Sequence, residues 1–88
     1  RWKSSAGEID IIARRRQLLS FVEVKARSRL DAAAESVSER QKRRIAAAAA
    51  AWLADNQDEA MHDIRFDAVL VAPARMPRHI AAAFGIQG

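Results

Sequence analysis

Four charged residues in two short apolar segments have the types and spacing of a catalytic site. The first segment contains Glu8 and Asp10, and the second contains Glu23 and Lys25. Side chains along a strand alternate between its two faces, so each pair shares one face if the segments are strands. If Asp10 lies beside Glu23 across a hairpin, three carboxylates and one ammonium converge on one small region.

Such a convergence has an electrostatic cost that points to chemistry. Two carboxylates about 4 Å apart repel by about 4 kcal/mol at an effective dielectric of about 20. A shared proton, the Lys25 ammonium or a hard cation between the carboxylates would relieve that repulsion. Magnesium prefers oxygen ligands, keeps several waters and needs few protein ligands. Asp10, Glu23 and the carbonyl of Val24 are therefore candidate ligands for Mg²⁺ or Mn²⁺.

This spacing suits metal-assisted cleavage of a phosphodiester. Lys25 could orient or deprotonate the attacking water and stabilise the pentavalent phosphate, while the metal supplies Lewis acidity. The alternative is a solvent-facing ladder of salt bridges, which antiparallel sheets often carry. Phe21 shares a face with Glu23, and Ile12 shares one with Asp10, so the face is at least partly covered. Charged groups in a partly covered cleft are better functional candidates than a wet ladder.

The elements that would position these residues follow from the apolar pattern. Two short, β-branched segments joined by the polar link 14–17 predict an antiparallel hairpin. Ser38 and Gln41 fit a capping box at the start of a helix, and six alanines at 46–51 favour its interior. In chain order, the predicted elements are strands 6–13 and 18–26, a helix from 38 to about 55, a strand over 64–72 and a short edge strand within 78–84.

The helix is predicted to bury a stripe that contains Ile45, Ala49, Trp52 and Leu53. Lys42 lies close to the centre of that stripe at 100° per residue, so it is expected to point toward the sheet. There it could reach a phosphate near the site or extend along apolar surface. Arg40 and Arg44 are expected to face the opposite way. In the third strand, Arg65 and Asp67 share a face and are predicted to form a structural ion pair; Ser20, His62 and His79 receive no catalytic role.

Composition restricts the class of protein. The 88 residues predict one small domain, 1–88, and the formal net charge is +4. The absence of cysteine excludes a disulfide scaffold, a thiol nucleophile and a cysteine-ligated metal, and two histidines make a histidine-built zinc site unexpected. Without an apolar run of about 18 residues or a signal peptide, a cytoplasmic protein with no membrane partner is the default expectation.

The basic residues fall into clusters that could contact a polyanion. Each cluster could equally be a solvated face or turn. The candidate nucleic-acid-binding residues are Arg14, Arg15, Arg16, Arg27, Arg29 and Lys42.

The two charged segments also resemble a known family. Residues 7–12 read Gly-Glu-Ile-Asp-Ile-Ile and residues 21–27 read Phe-Val-Glu-Val-Lys-Ala-Arg. They look like the YraN-type family of small bacterial proteins, which is uncharacterised and is regarded as nuclease-like. By that resemblance the chain is similar to the restriction-endonuclease-like superfamily, whose pattern is PD-(D/E)xK, and to archaeal Holliday-junction resolvases. The resemblance runs from about Trp2 to Phe84.

This resemblance implies a fold, an activity and a role for each residue. The fold would be α/β, with a restriction-endonuclease-like mixed sheet flanked by helices. The activity would be Mg²⁺-dependent hydrolysis of nucleic-acid phosphodiesters, in DNA and including branched DNA. Asp10 and Glu23 match the metal carboxylates, Lys25 matches the catalytic lysine, and Glu8 matches an auxiliary acid. Members usually begin with a further helix, so the N-terminal helix is expected to be missing from a chain that starts at Arg1.

Two other functions remain open at this stage. A binding module could keep the fold and the nucleic-acid partner without the chemistry. An interaction protein could instead pair a sheet edge with a second copy of itself, which would make it a homodimer.

Overall fold

The structure is a computed structural model that describes residues 1–5, 7–26 and 38–85. A 3₁₀ turn at Gln57–Met61 follows the helix. The other elements, in chain order, are β1 (Trp2–Ser4), β2 (Gly7–Ile9), β3 (Ile11–Arg15), β4 (Leu18–Ala26), α1 (Glu39–Asp55), β5 (Asp63–Val71) and β6 (Arg78–Ile80).

The strands form one mixed sheet and one small ribbon. The sheet has the order β3-β4-β5-β6, and β1 pairs with β2 in a separate two-stranded ribbon. β4 is antiparallel to β3 and parallel to β5, while β5 and β6 are antiparallel. The predicted α/β class with a mixed sheet is confirmed, and it is consistent with a restriction-endonuclease-like fold. Within the described segments, no helix is long and apolar enough to cross a membrane.

The predicted continuous strand over 6–13 is wrong, because the chain changes partner at Asp10. A bend at this residue separates β2, which pairs with β1, from β3, which pairs with β4. The predicted hairpin between β3 and β4 is confirmed, and Arg16 makes its turn with a φ of 56°. The last strand, β6, is shorter than the predicted range.

The helix begins as predicted. The Ser38 hydroxyl accepts a hydrogen bond from the Gln41 N–H at 3.1 Å, and the Gln41 side-chain oxygen accepts one from the Ser38 N–H at 3.2 Å. These reciprocal bonds form the capping box, which satisfies two donors that a helix start leaves unpaired. At the other end, the Asn56 side chain donates to the Trp52 carbonyl at 2.8 Å.

The core lies between α1 and one face of the sheet. Its buried residues come from β2, β4 and the alanine face of the helix: Ile9, Leu19, Phe21, Ala48 and Ala49. Phe21 contacts Trp52 edge-on and stacks on Phe66, and both ring centroids lie 5.8 Å from that of Phe21. The alanines let the helix approach closely, so the rings fill the space that remains. This packing holds α1 across the sheet beside the charged ends of β2 and β4.

Candidate active site

One pocket joins the three predicted carboxylates. Glu8 from β2, Asp10 from the bend and Glu23 from β4 line a cavity of about 170 Å³. The first turns of α1 supply the other lining residues, Gln41, Arg44 and Ile45. The three carboxylates therefore converge as predicted, at the edge where β3 begins, whereas Lys25 is not among the lining residues and joins them only through Glu23.

A main-chain hydrogen bond orients Asp10. Its Oδ2 accepts from the Val24 N–H at 2.9 Å, and its Oδ1 lies 3.4 Å from the Arg1 guanidinium. The backbone pairing of β3 with β4 ends at the Ile11–Val22 pair. Beyond that pair, the Asp10 side chain, rather than the backbone of β3, accepts the hydrogen bond from β4. The N–H and C=O of one strand residue point the same way, so the Val24 carbonyl faces this side too.

Glu23 and Lys25 form a close ion pair with little exposure to solvent. The Lys25 Nζ lies 3.3 Å from the Glu23 Oε1, and the two side chains are 12% and 19% exposed, respectively. Burial raises the pKa of Glu23, and the nearby charge of Asp10 raises it further. Lys25 opposes this shift, and Glu8 adds a smaller increase. The pocket thus holds more negative charge than Lys25 alone compensates.

Glu8 lies at the open rim of the pocket. Its carboxylate is 3.8 Å from the Lys3 ammonium, its cross-strand neighbour in the ribbon, and 4.0 Å from the Arg1 guanidinium. Its side chain is about half exposed. Glu8 is therefore the most loosely held of the three acids and could act from the edge of a site.

The donor set can be compared with the needs of a hard cation. Among the described residues, no three acidic or histidine side chains are close enough to enclose a metal by themselves. Mg²⁺ does not need such a cage, because it is bound through one or two carboxylates and keeps several waters. Asp10 and Glu23, with the Val24 carbonyl on the same side, fit that requirement.

The predicted orientation of Arg44 away from the site is wrong, whereas Lys42 is partly buried, in agreement with its expected position on the inner side of the helix. Arg44 lines the pocket, whereas the Lys42 Nζ pairs with Glu39 at 3.0 Å and is not part of the lining. The helix rests on β2 near Gly7, where a Cβ atom would lie 3.2 Å from the Arg44 carbonyl. Gln41, Arg44 and Ile45 lie on the side of the helix that lines the pocket with the acids. Arg44 and Ile45 follow Gln41 by three and four residues, and this spacing in the sequence could have indicated that the three share one side of the helix.

The other predicted nucleic-acid residues lie away from the pocket or outside the described residues. Arg14 pairs with Glu59, and the Arg14 Nη1 lies 2.6 Å from the Glu59 Oε1. Arg15 and Arg16 are exposed at the hairpin turn. At about 3.4 Å of strand per residue, they lie about 20 Å from Asp10 along the chain. Arg27 and Arg29 lie outside the described residues. The basic clusters therefore do not form a ring around the pocket in the part of the chain that the structure describes.

A second acidic centre lies on the opposite face of the sheet. Asp67 is 1% exposed and accepts a bidentate pair of hydrogen bonds from Arg65, at 2.7 and 2.8 Å. Ser20 and the Ala82 N–H donate to it at 2.7 and 2.9 Å, and the His79 Nε2 lies 2.8 Å away. Burial tends to raise the pKa of Asp67, but these donors outweigh it and hold the pKa well below its usual value.

This second centre is structural. The predicted Arg65–Asp67 pair is present, and it is larger than the sequence indicated. The Ser20 hydroxyl is buried and donates to Asp67, whose lowered pKa makes it too weak a base to activate a nucleophile. Ser20 and His79 reach Asp67 because β4, β5 and β6 are neighbours in the sheet, which no local motif in the sequence indicates.

The fold and the pocket together define an α/β domain in which a mixed sheet carries an acidic pocket, with Lys25 paired to one of its acids. The chain belongs to the uncharacterised protein family UPF0102, which it matches over residues 1–71.

Bacterial relatives agree with this assignment. A UPF0102 protein of Rhodopseudomonas palustris (strain HaA2) is 63% identical over 84 residues, which cover 96% of this chain and 66% of the relative. A UPF0102 protein of Bradyrhizobium diazoefficiens is 55% identical over 84 residues and is covered to 63%. The chain thus spans slightly less than two thirds of the length of these relatives.

Proposed function

We propose that this domain is a Mg²⁺-dependent endonuclease of the restriction-endonuclease-like, PD-(D/E)xK superfamily, and that it hydrolyses phosphodiester bonds in nucleic acid. The observation that carries the proposal is that Asp10 and Glu23 line one pocket, with the Lys25 ammonium 3.3 Å from Glu23. The raised pKa of Glu23 supports it, because burial and neighbouring acids leave negative charge for a cation to neutralise. The mixed sheet and the order of the acidic and lysine positions agree with that superfamily.

Each pocket residue has a distinct part in this proposal. Asp10 and Glu23 hold the cation, and the Val24 N–H fixes the orientation of the Asp10 carboxylate. The bound cation, Mg²⁺ or Mn²⁺, supplies Lewis acidity and lowers the pKa of a bound water. The Lys25 ammonium, beside Glu23, orients the attacking water and stabilises the charge that develops on the phosphate. Glu8 acts from the rim.

The partner we propose is DNA, including branched DNA. The chain carries a net charge of +4, and Arg15 and Arg16 are exposed about 20 Å from Asp10 at 3.4 Å per residue. A duplex or a junction is long enough to contact both places, whereas a single nucleotide is not. Arginine–phosphate contacts give affinity without reading the sequence.

The test is cleavage of a panel of DNA substrates by the full-length protein. Duplex, single-stranded and four-way-junction DNA are incubated with wild type, with Asp10→Asn and with Glu39→Gln, whose carboxylate lies on α1 outside the pocket. We expect Mg²⁺-dependent cleavage that falls at least about 100-fold in Asp10→Asn and is unchanged in the control. Absence of cleavage of every substrate by the wild type would contradict the proposal.

Calorimetry with Mn²⁺ separates the alternatives. Binding that disappears in Asp10→Asn and persists in Glu39→Gln supports a metal site in the pocket. DNA binding without any Mn²⁺ binding would instead identify a non-catalytic binding module. Sedimentation at two protein concentrations tests the proposed alternative of a homodimer, which a strict monomer would contradict.

A further inference from the structure

Arg44 is the pocket residue whose charge the acidic site does not already use. Lys25 pairs with Glu23, and Arg1 lies against Asp10. Arg44 lines the same cavity, is exposed, and forms no ion pair with any described residue. Because Arg44 belongs to the wall of an acidic cavity, its long side chain can reach an anion that enters beside a cation.

The backbone of Arg44 is held close to the acids by direct packing on Gly7. This glycine has a φ of 148°, and a Cβ atom there would lie 3.2 Å from the Arg44 carbonyl and 3.5 Å from the Ala48 Cβ. Only glycine accommodates both the conformation and the approach. Arg44 is thereby placed next to the strand residue that precedes Glu8.

Gln41 adds a neutral donor on the same face of the helix. Its side-chain oxygen is occupied by the Ser38 N–H, so its NH₂ group is the part left to donate. The two side chains lie one helical turn apart and line the same cavity. A guanidinium with an adjacent amide donor suits the oxygens of a phosphate, because arginine presents several N–H groups in a planar fork.

We propose that Arg44, assisted by Gln41, binds a non-bridging oxygen of the scissile phosphate and positions it against Asp10 and Glu23. This inference rests on the proposed nuclease function and assigns its phosphate-binding residue. Acids alone would repel the phosphate, so contact with Arg44 requires the cation to neutralise them. The binding of substrate should therefore depend on Arg44 and on the divalent cation together.

The test compares Arg44→Ala and Arg44→Lys with Arg43→Ala. Arg43 is the neighbouring exposed arginine, does not line the pocket, and its replacement changes the net charge equally. We expect Arg44→Ala to lower kcat/KM and Mn²⁺-supported DNA affinity roughly 10- to 100-fold, since it removes charged hydrogen bonds. Arg44→Lys should recover part of this loss, and Arg43→Ala should stay within about twofold of the wild type.

Two further measurements decide between a phosphate contact and a structural role. The melting temperature and the calorimetric Mn²⁺ affinity of Arg44→Ala should match those of the wild type, because Arg44 is not a ligand. Equal losses in Arg44→Ala and Arg43→Ala, or a loss of Mn²⁺ binding in Arg44→Ala, would overturn the inference while nuclease activity stands. Conversely, a wild type that binds DNA through Arg44 but cleaves nothing would contradict the nuclease function and reduce the inference to a phosphate contact by Arg44.

Discussion

Two acidic centres on neighbouring strands show how differently one sheet can treat a carboxylate. Glu23 pairs in register with Ala68, one step from Asp67, so the two acids point to opposite faces. Asp67 is surrounded by donors and its pKa is lowered. Glu23 faces other acids in a partly buried pocket and its pKa is raised. A carboxylate that the protein fully compensates stabilises the fold, whereas one left uncompensated is available to a ligand.

The two centres also differ in how they use their cations. Arg65 binds Asp67 with two parallel hydrogen bonds, a geometry that occupies both carboxylate oxygens. Lys25 approaches one oxygen of Glu23 at 3.3 Å, which leaves the other oxygen for a ligand. The first arrangement closes a site and the second keeps it open.

The largest expected effect comes from exchanging these two cations for methionine. Lys25→Met should lower the rate of Mg²⁺-dependent cleavage by the folded protein roughly 100- to 1000-fold, the usual effect of removing one donor that stabilises charge in the transition state. Arg65→Met should lower the melting temperature and leave cleavage by the folded protein intact. Rate measurements on the two variants, with thermal unfolding of each, check both statements. A larger loss of cleavage rate in Arg65→Met than in Lys25→Met would contradict the distinction between the two centres.

Replacement of Asp67 should cause the largest loss of stability. Asp67→Asn removes the charge that Arg65, Ser20 and His79 surround, so a destabilisation of about 2–4 kcal/mol is expected. Urea unfolding of Asp67→Asn and of Glu23→Gln measures the contrast, since Glu23→Gln should not destabilise the protein. A loss below about 1 kcal/mol in Asp67→Asn would show that the donors do not hold Asp67 as tightly as described.

The pH dependence of stability should have opposite signs at the two centres. The folded pKa of Glu23 lies above its usual 4.5, so ionised Glu23 destabilises the metal-free fold as pH rises. Glu23→Gln should therefore be more stable than wild type at pH 7, and the difference should decline as pH falls through the raised pKa and vanish below 4.5. The folded pKa of Asp67 lies below its usual 3.8, so the advantage of wild type over Asp67→Asn is full above that value and declines below it.

Urea unfolding of the three proteins at a series of pH values, in the presence of a chelator, tests this prediction. Parallel pH profiles for Glu23→Gln and Asp67→Asn would contradict it.

The smallest expected effect concerns the backbone donor of the Asp67 centre. Ala82 donates its N–H to Asp67 from a left-handed conformation with a φ of 51°, which an L-residue adopts at a cost. Ala82→Gly should stabilise the protein by about 0.5–1 kcal/mol, since relief of that strain exceeds the added chain entropy. Ala81→Gly, whose residue is not in the left-handed region, should destabilise it instead. Thermal unfolding of both variants measures the difference.

The local features of this fold were predictable from sequence. The capping box at Ser38, the hairpin and the shared pocket of Asp10 and Glu23 follow from spacing over a few residues, and all three are present. Roles in catalysis and metal binding stay predictions, because spacing places groups together without showing what binds them.

Features that depend on tertiary packing were not predictable. The bend at Asp10 separates two parts of one apolar segment that pair with different strands, β2 with β1 and β3 with β4. The place of Arg44 in the pocket depends on the approach of the helix to Gly7, which no local pattern indicates. The donors around Asp67 come from three strands and the following turn.

The connectivity of the sheet has a consequence for how the domain folds. Asp10 and Glu23 meet within a hairpin whose turn is short, whereas Ser20 and Arg65 pair in parallel across 45 residues of chain. Hairpins close in microseconds, while distant strands must first overcome a larger loop-closure entropy. We therefore expect Asp10 and Glu23 to come together early in folding. The helix α1, which lines the other side of the pocket, should pack later, when β4 and β5 pair. If so, Glu23→Gln, which removes the repulsion between the two acids, should refold faster than the wild type in stopped-flow measurements.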